Sequence, residues 1–318
     1  MNNLLKIILN IAIFLLIAGF VWYIANAMKK KPETNADVQQ PVETQSDFKQ
    51  VSSFELPQEI NRFELHDGKL YISSGDSIYI LDTAQAKRVS FPVKPDVRDI
   101  TAGGGKIYVL YPAYIEVYST GGELLNKWEA CSELSDYCSI ALAGAFVFVT
   151  DAENKNIHKY TDDGNFVGFI KSPAGFIIPS YTFDIESFND TIYCVNSGRH
   201  SIEIYSADGK FISAFGSPGE EAGLFCGCCN PVYISFTPKG ELITSEKGNP
   251  RVSLFERSGK FKEILLDNSL LESGNKACEI RSDGNRLFVA QNNKILIFNY
   301  GKLRLQKQAV RIVKKIVL

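Results

Sequence analysis

Histidine is nearly missing from this chain: His66, His158 and His200 are the only three in 318 residues. Such scarcity works against mechanisms built on an imidazole cluster, because catalytic zinc sites commonly take two or three histidines. His66 is expected in a turn and His158 inside a strand, so no histidine cluster is expected to assemble. Other absences narrow the field further. No Gly-x-Ser-x-Gly elbow and no phosphate-cradling glycine loop occurs, which removes two recognisable enzyme signatures. Lys and Arg number 34 against 36 Asp and Glu, a formal charge of −2. No nucleic-acid partner is expected, since phosphate binding leaves a basic footprint. After residue 50 no long stretch carries the stripe of an amphipathic helix, and the apolar residues alternate with period 2 instead.

What is present repeats. Six segments pair an apolar strand with a second strand of the type x-Ile-x-x-aromatic. The second strands begin at Ser77, Tyr114, Asn156, Ser201, Arg251 and Lys294. Their spacing of roughly 37–50 residues is that of a four-stranded propeller blade. Glycine turns follow, as in Thr120-Gly121-Gly122, Asp162-Asp163-Gly164, Ala207-Asp208-Gly209 and Arg257-Ser258-Gly259. Glycine suits such hairpins because it accepts positive φ without steric cost. A single blade cannot bury both faces, whereas a closed ring can. The predicted fold is therefore all-β, a six-bladed β-propeller over residues 48–308, preceded by an N-terminal transmembrane helix. Two segments compete to supply the strand that closes the ring: Phe48 to Leu56 and Leu303 to Gln308.

The run Ser197-Gly-Arg-His-Ser-Ile-Glu-Ile-Tyr-Ser-Ala-Asp-Gly-Lys-Phe-Ile-Ser-Ala-Phe-Gly216, continued by Gly219-Glu-Glu-Ala-Gly-Leu-Phe225, resembles the NHL repeat of bacterial and animal propellers. The likeness is good over blades 3 to 5 and weaker over blades 1, 2 and 6. It implies a fold more strongly than a function, because that family includes scaffolds, sensors, RNA binders and a few enzymes.

Residues 1–31 read as a membrane anchor. Ile7 to Ala27 are largely apolar and long enough to span a ~30 Å hydrocarbon core, with Trp22 and Tyr23 at one interface. Ala25-Asn26-Ala27 resembles a signal-peptidase site, but the apolar run is longer than a signal peptide's core. Residues 32–47 are polar and form a flexible linker. Lys29, Lys30 and Lys31 would hold the domain in the cytoplasm by the positive-inside rule. The NHL resemblance implies export, and the expectation adopted is a single-pass cell-membrane protein with an extracytoplasmic propeller. The tail 309–318 mixes basic and apolar residues; a membrane-surface contact is one reading, and an edge strand or short helix packed on the last blade is the expectation adopted.

Six of the seven cysteines fall in connections between blades, which should share one face. They are Cys131 and Cys138, then Cys226, Cys228 and Cys229, then Cys278. In NHL repeats a Phe is usually followed three residues later by the Pro opening the inner strand. Here Cys226-Gly-Cys-Cys-Asn230 lies between Phe225 and Pro231. Disulfides across that face are one reading. A thiolate-bound metal or iron–sulfur cluster is another, and thiol exchange with a partner a third. Cys194, inside a strand, is expected to be buried and inert. Polar turns on the same face add Asp151, Glu153, Arg199, His200, Glu246, Lys247 and Arg251 as a binding surface. The expected function is a membrane-anchored binding or scaffold module, an accessory subunit or sensor with a protein partner at the membrane. The alternative is a redox or metal protein using the cysteines. A metal-dependent lactonase- or lyase-like enzyme is the third class, implied by the resemblance. For a lactonase-type metal site the inner-strand candidates are Asp99, Asp184 and Glu279, although no family motif carries the role to them.

Overall fold

A computed structural model describes residues 15–20, 22, 49–83, 88–271 and 274–299. The chain divides into two units, Met1–Glu43 and Thr44–Leu318. In the first, residues 15–20 and 22 are helical, and Leu15, Leu16, Ile17, Phe20 and Trp22 are all exposed. No helix among the described residues is long and apolar enough to cross a membrane. Most of the span expected over 7–27 lies outside the described residues, as do the linker 32–47 and the tail 309–318.

The second unit is a ring of six four-stranded antiparallel sheets. Blade 1 holds β2 (Ile60–His66), β3 (Lys69–Ser74), β4 (Ser77–Asp82) and β5 (Arg88–Pro92). Blade 2 holds β6 (Asp99–Gly103), β7 (Lys106–Tyr111), β8 (Tyr114–Ser119) and β9 (Leu124–Glu129). Blade 3 holds β10 (Tyr137–Ala143), β11 (Phe146–Asp151), β12 (Asn156–Thr161) and β13 (Phe166–Ile170). Blade 4 holds β14 (Ile185–Phe188), β15 (Thr191–Asn196), β16 (Ser201–Ser206) and β17 (Phe211–Phe215). Blade 5 holds β18 (Tyr233–Phe236), β19 (Leu242–Glu246), β20 (Arg251–Phe255) and β21 (Phe261–Leu266). Blade 6 takes β22 (Ile280–Ser282), β23 (Arg286–Gln291) and β24 (Lys294–Asn299) from the end of the domain, and β1 (Gln50–Glu55) from its beginning.

The apolar residues explain why these sheets stack. Each of six buried clusters bridges two neighbouring blades. Tyr108, Leu110 and Val117 of blade 2, for example, meet Ile140, Val147 and Tyr160 of blade 3. At roughly 25 cal/mol per Å² of apolar area, such interfaces are the main favourable term holding the ring. The repeated turn glycines serve the same stacking. Gly122, Gly164, Gly209 and Gly259 all have φ between +87° and +94°. A Cβ on any of them would come within 3.0 Å of Phe91, Trp128, Ile170 or Phe215, each on the outer strand of the preceding blade. Left-handed backbone and close blade approach therefore select glycine together.

Candidate functional site

The innermost strands line the central channel, and one repeated contact fixes their register around it. The Ile140 amide donates to Asp99 Oδ2 at 2.9 Å, the Ile234 amide to Asp184 Oδ2 at 2.8 Å, and the Phe63 amide to Glu279 Oε2 at 3.0 Å. A carboxylate from every second blade thus latches onto the next blade's inner strand. The donors directly follow Ser139, Tyr233 and Arg62, so Arg62, Asp99, Ser139, Asp184, Tyr233 and Glu279 form one ring of equivalent positions. Two residues further on, the strand period places Glu64, Thr101, Ala141, Glu186, Ser235 and Arg281 in a second ring.

The channel is filled by its own charges. Arg281 Nε lies 3.0 Å from Glu64, and its Nη2 lies 3.0 Å from Glu186 and 3.2 Å from Glu279. Since those carboxylates belong to blades 1, 4 and 6, the guanidinium reaches across the axis. Arg62 stacks over the Tyr233 ring at 4.6 Å and donates through Nε to Arg98 O at 2.8 Å. The residues considered for a lactonase-type ion, Asp99, Asp184 and Glu279, do gather in the channel. There they hold backbone amides and face two fixed guanidiniums, a poor setting for a divalent cation. Among the described residues no group of three or more His, Cys, Asp or Glu side chains is placed to hold a metal.

Five carboxylates against two guanidiniums leave the channel with more acid than base, and burial resolves the imbalance with protons. Burial pushes the Asp184 carboxyl up to about 6 and that of Glu279 up to about 7, and drives Glu186 well above the usual range. The hydrogen bonds agree. Ser139 Oγ lies 2.6 Å from Asp99 Oδ2 and 3.0 Å from Asp184 Oδ1, yet its single proton can serve only one of them. A proton on Asp184 Oδ1, donated to Ser139 Oγ while Ser139 donates to Asp99, satisfies all three groups.

A pH dependence follows. Between about pH 4 and 7 the folded chain holds protons that the unfolded chain has released, so stability falls as pH rises. The shifts of Asp184 and Glu279 each correspond to roughly 3 kcal/mol by ~1.4 kcal/mol per unit. Glu279→Gln keeps an acceptor for the Phe63 amide and cannot ionise. Relative to wild type, it should gain roughly 3 kcal/mol between pH 4.5 and pH 8, read from urea midpoints. Parallel pH slopes for the two proteins would refute the assignment.

The connections after β9, β17 and β21 open on one face, as their place in the blade repeat predicts. Among the described residues, which include all seven cysteines, no two are joined by a disulfide. Cys131 is exposed and sits with its sulfur 3.3 Å from His158 Nδ1. Cys138, expected in the same loop, lies instead inside β10 and is buried in the core between blades 3 and 4. Burial pushes its thiol up to about 12. Cys278 is buried between blades 5 and 6, where Gln291 Nε2 approaches its sulfur at 3.6 Å. Cys194 is buried in β15, as expected for an inert residue.

The three remaining cysteines share one loop with a defined shape. Asn230 pins it through Nδ2 to Cys226 O at 2.6 Å and to Lys247 O at 2.9 Å. Its Oδ1 accepts from the Lys247 amide at 2.9 Å. The Cys226 amide lies 3.3 Å from Glu246 Oε2. Arg251 anchors the base of the loop, with Nε 2.6 Å from Glu246 Oε1, Nη1 3.1 Å from Glu220 O, and Nη2 on Leu224 O. His200 Nε2 lies 2.6 Å from Gly227 O and ties in the blade 4 turn. Cys228 is exposed and Cys229 buried, with their sulfurs 3.1 Å apart.

The expected binding surface is thus part surface and part scaffold. Glu153 and Arg199 are exposed, and His200 and Lys247 half-exposed. Asp151, Glu246 and Arg251 are buried and hold turns and loops in place. The residues missed in the sequence are Arg62, Glu64, Glu186, Arg281 and His158. The four channel residues alternate with Phe63, Ile185 and Ile280 as charges on a solvated strand face would, so nothing local marks them as buried.

No protein-family profile matches the chain, and no curated protein matches it in sequence. Solved structures do share the fold. Virginiamycin B lyase from Staphylococcus aureus is 15% identical, with a TM-score of 0.60 over 80% of this chain and 100% of that one. A streptogramin B lyase is 16% identical, with a TM-score of 0.56 over 79% of this chain and 97% of that one. The Pan2 WD40 domain of Neurospora crassa is 8% identical, with a TM-score of 0.54 over 80% of this chain and 96% of that one. The likeness is one of fold, and it spans lyases and WD40 domains alike.

Proposed function

We propose that this six-bladed propeller is a binding module whose working surface is the cysteine-bearing face. It acts from a membrane tether at residues 7–27, on the extracytoplasmic side, toward a membrane-associated protein partner. The observation that carries this reading is the shape of the Cys226–Asn230 loop. An insertion of this kind costs ordering entropy, and here three Asn230 hydrogen bonds and the buried Arg251–Glu246 pair hold it in one conformation. Preorganisation of an exposed loop favours recognition, because less freedom is lost on binding. The channel offers a ligand little by comparison, since its own arginines occupy it. The exposed apolar side chains at 15–20 and 22 suit a lipid-facing helix.

A thiol-directed photocrosslinker on Cys228 tests the surface, using the full chain with Cys131→Ser in native membranes. One discrete adduct should form, and Asn230→Ala should abolish it by releasing the loop. The same probe on Asp208→Cys, in an exposed turn on the opposite face, should give none. Equal capture from both faces would overturn the reading. A second reading, as a redox or thiophilic-metal protein, is favoured by one observation: the 3.1 Å approach of the Cys228 and Cys229 sulfurs.

A further inference from the structure

His158 is a titratable side chain that the fold does not require and the docking reading does not use. It lies in the middle of β12, fully buried, at a position where an apolar residue would serve packing better. Phe166, Phe169, Tyr137 and Tyr160 surround the ring. Its two nitrogens face different groups. Nε2 lies 3.3 Å from Asp151 Oδ2, off the line of a good hydrogen bond, so the contact is mainly electrostatic. Nδ1 lies 3.3 Å from Cys131 Sγ and 3.0 Å from the Tyr137 hydroxyl, which is itself 2.6 Å from the Tyr160 hydroxyl.

The neighbours assign the tautomer. Asp151 is buried, and burial would favour its neutral form. Hydrogen bonds from the Asn154 side chain and amide and the Asp136 amide outweigh that cost and hold the carboxyl below its ordinary range. An anion facing Nε2 selects the Nε2–H form, which leaves the Nδ1 lone pair toward Cys131. Burial lowers the imidazole's proton affinity, against the pull of Asp151, and raises the Cys131 thiol's. The resting state is therefore a thiol, a neutral imidazole and a carboxylate in sequence. That is the arrangement of a nucleophile, a general base and the group that orients it. Of the three residues, only Cys131 is exposed.

We propose that Cys131 is a nucleophilic thiol, with His158 as its general base and Asp151 as the positioning residue, and that its substrate is the disulfide of a small thiol. In the step, Sγ attacks one sulfur of RS–SR as its proton passes to His158 Nδ1. The Cys131–S bond forms, the RS–SR bond breaks, and the departing RS⁻ takes the proton from His158. The products are a Cys131 mixed disulfide and RSH, with the incoming disulfide as the only oxidant. Exchange of this kind places the developing charge on the leaving sulfur, so it needs no oxyanion hole. An exposed thiol backed by a buried base therefore meets its requirements. The proposal does not depend on a partner binding the neighbouring loop.

Oxidised glutathione is the probe, used on the full chain in a Cys229→Ser background and followed at each cysteine by peptide mass spectrometry. Cys228, exposed and without a histidine, is the internal comparison. Cys131 should react at least ~10-fold faster than Cys228 near pH 6.5. From there to pH 8 its rate should stay nearly flat, while that of Cys228 rises ~10-fold per unit as its thiolate forms. His158→Gln should bring Cys131 to the rate and pH slope of Cys228 while Cys228 is unchanged, and Asp151→Asn should have a smaller effect of the same kind. If His158→Gln disturbs the fold, buried Cys138 and Cys194 become reactive and reveal it. The unmodified pH profile then decides. Cys131 no faster than Cys228, or with the same pH slope, would overturn the proposal.

Discussion

Arg281→Met should destabilise the propeller by about 3–5 kcal/mol, the usual cost of leaving buried charges without their partner. Arg281 is almost wholly buried and is the shared counter-charge of Glu64, Glu186 and Glu279. It also packs over the Phe63 ring at 5.6 Å. Methionine restores part of that packing and none of the charge. Glu279 has released its proton at pH 8 and holds it at pH 5, so the uncompensated charge, and with it the loss, should be larger at pH 8 than at pH 5. Arg281→Lys should fall between the two, because an ammonium cannot spread over three carboxylates as the guanidinium fork does. Urea unfolding followed by circular dichroism would show a lower midpoint at unchanged slope. A loss under about 1 kcal/mol, typical of exposed ion pairs, would mean that water reaches the channel centre and that the plug is not dry.

The expectation of six blades was sound because repetition is a one-dimensional signal. The strands beginning at Ser77, Tyr114, Asn156, Ser201, Arg251 and Lys294 became β4, β8, β12, β16, β20 and β24. The turn glycines followed from the same pattern, although their second role, against the preceding blade, needs the stacked ring to be visible. The choice between Phe48–Leu56 and Leu303–Gln308 as closing strand was undecidable by composition, since both are short and mixed. β1 pairs with β24, and Leu303–Gln308 lies outside the described residues.

The site was less legible, because its parts are distant in sequence and meet only through closure. Arg281 and Glu64 are 217 residues apart, and nothing local marks them as a pair. The cysteines mark the opposite kind of error. Their chain positions suggested one cluster, but Cys138 and Cys278 turn into two different inter-blade cores, while Cys131 turns to His158. A shared face fixes where a loop emerges and leaves open which way each side chain points. The sequence places His158 inside a strand and offers no second histidine near it. Its place in the repeat is that of Glu116 in β8 and Glu203 in β16, both buried, and that recurrence of a polar residue was the signal that could have found it.

Deleting residues 49–56 from the full chain should abolish the cooperative unfolding of the propeller, a larger effect than any single core substitution. β1 is the outer strand of blade 6, paired antiparallel with β24 from Ser52 opposite Ile297 to Glu55 opposite Lys294. Its ends are sewn down as well. The Leu56 amide donates to Asn293 O at 2.8 Å, and Asn293 Nδ2 donates to Leu56 O at 3.0 Å and to Glu55 Oε1 at 2.9 Å. Phe54 and buried Leu56 belong to the core between blades 6 and 1, with Phe63, Leu70 and Phe288. Glu55 and Asn293 are 238 residues apart, so this one pairing confines nearly the whole domain. The entropic cost of so long a loop grows only with the logarithm of its length, and a few well-packed residues can offset it. Leu56→Ala alone should cost about 2–5 kcal/mol. Without the strand, β24 becomes an open edge that can accept the same segment from another molecule. A synthetic peptide of residues 48–58, added to the deleted protein, should therefore restore a cooperative transition by strand addition. A deleted protein that melts as sharply as wild type would show that blade 6 stands on three strands, and that the ring is held by its inter-blade cores alone.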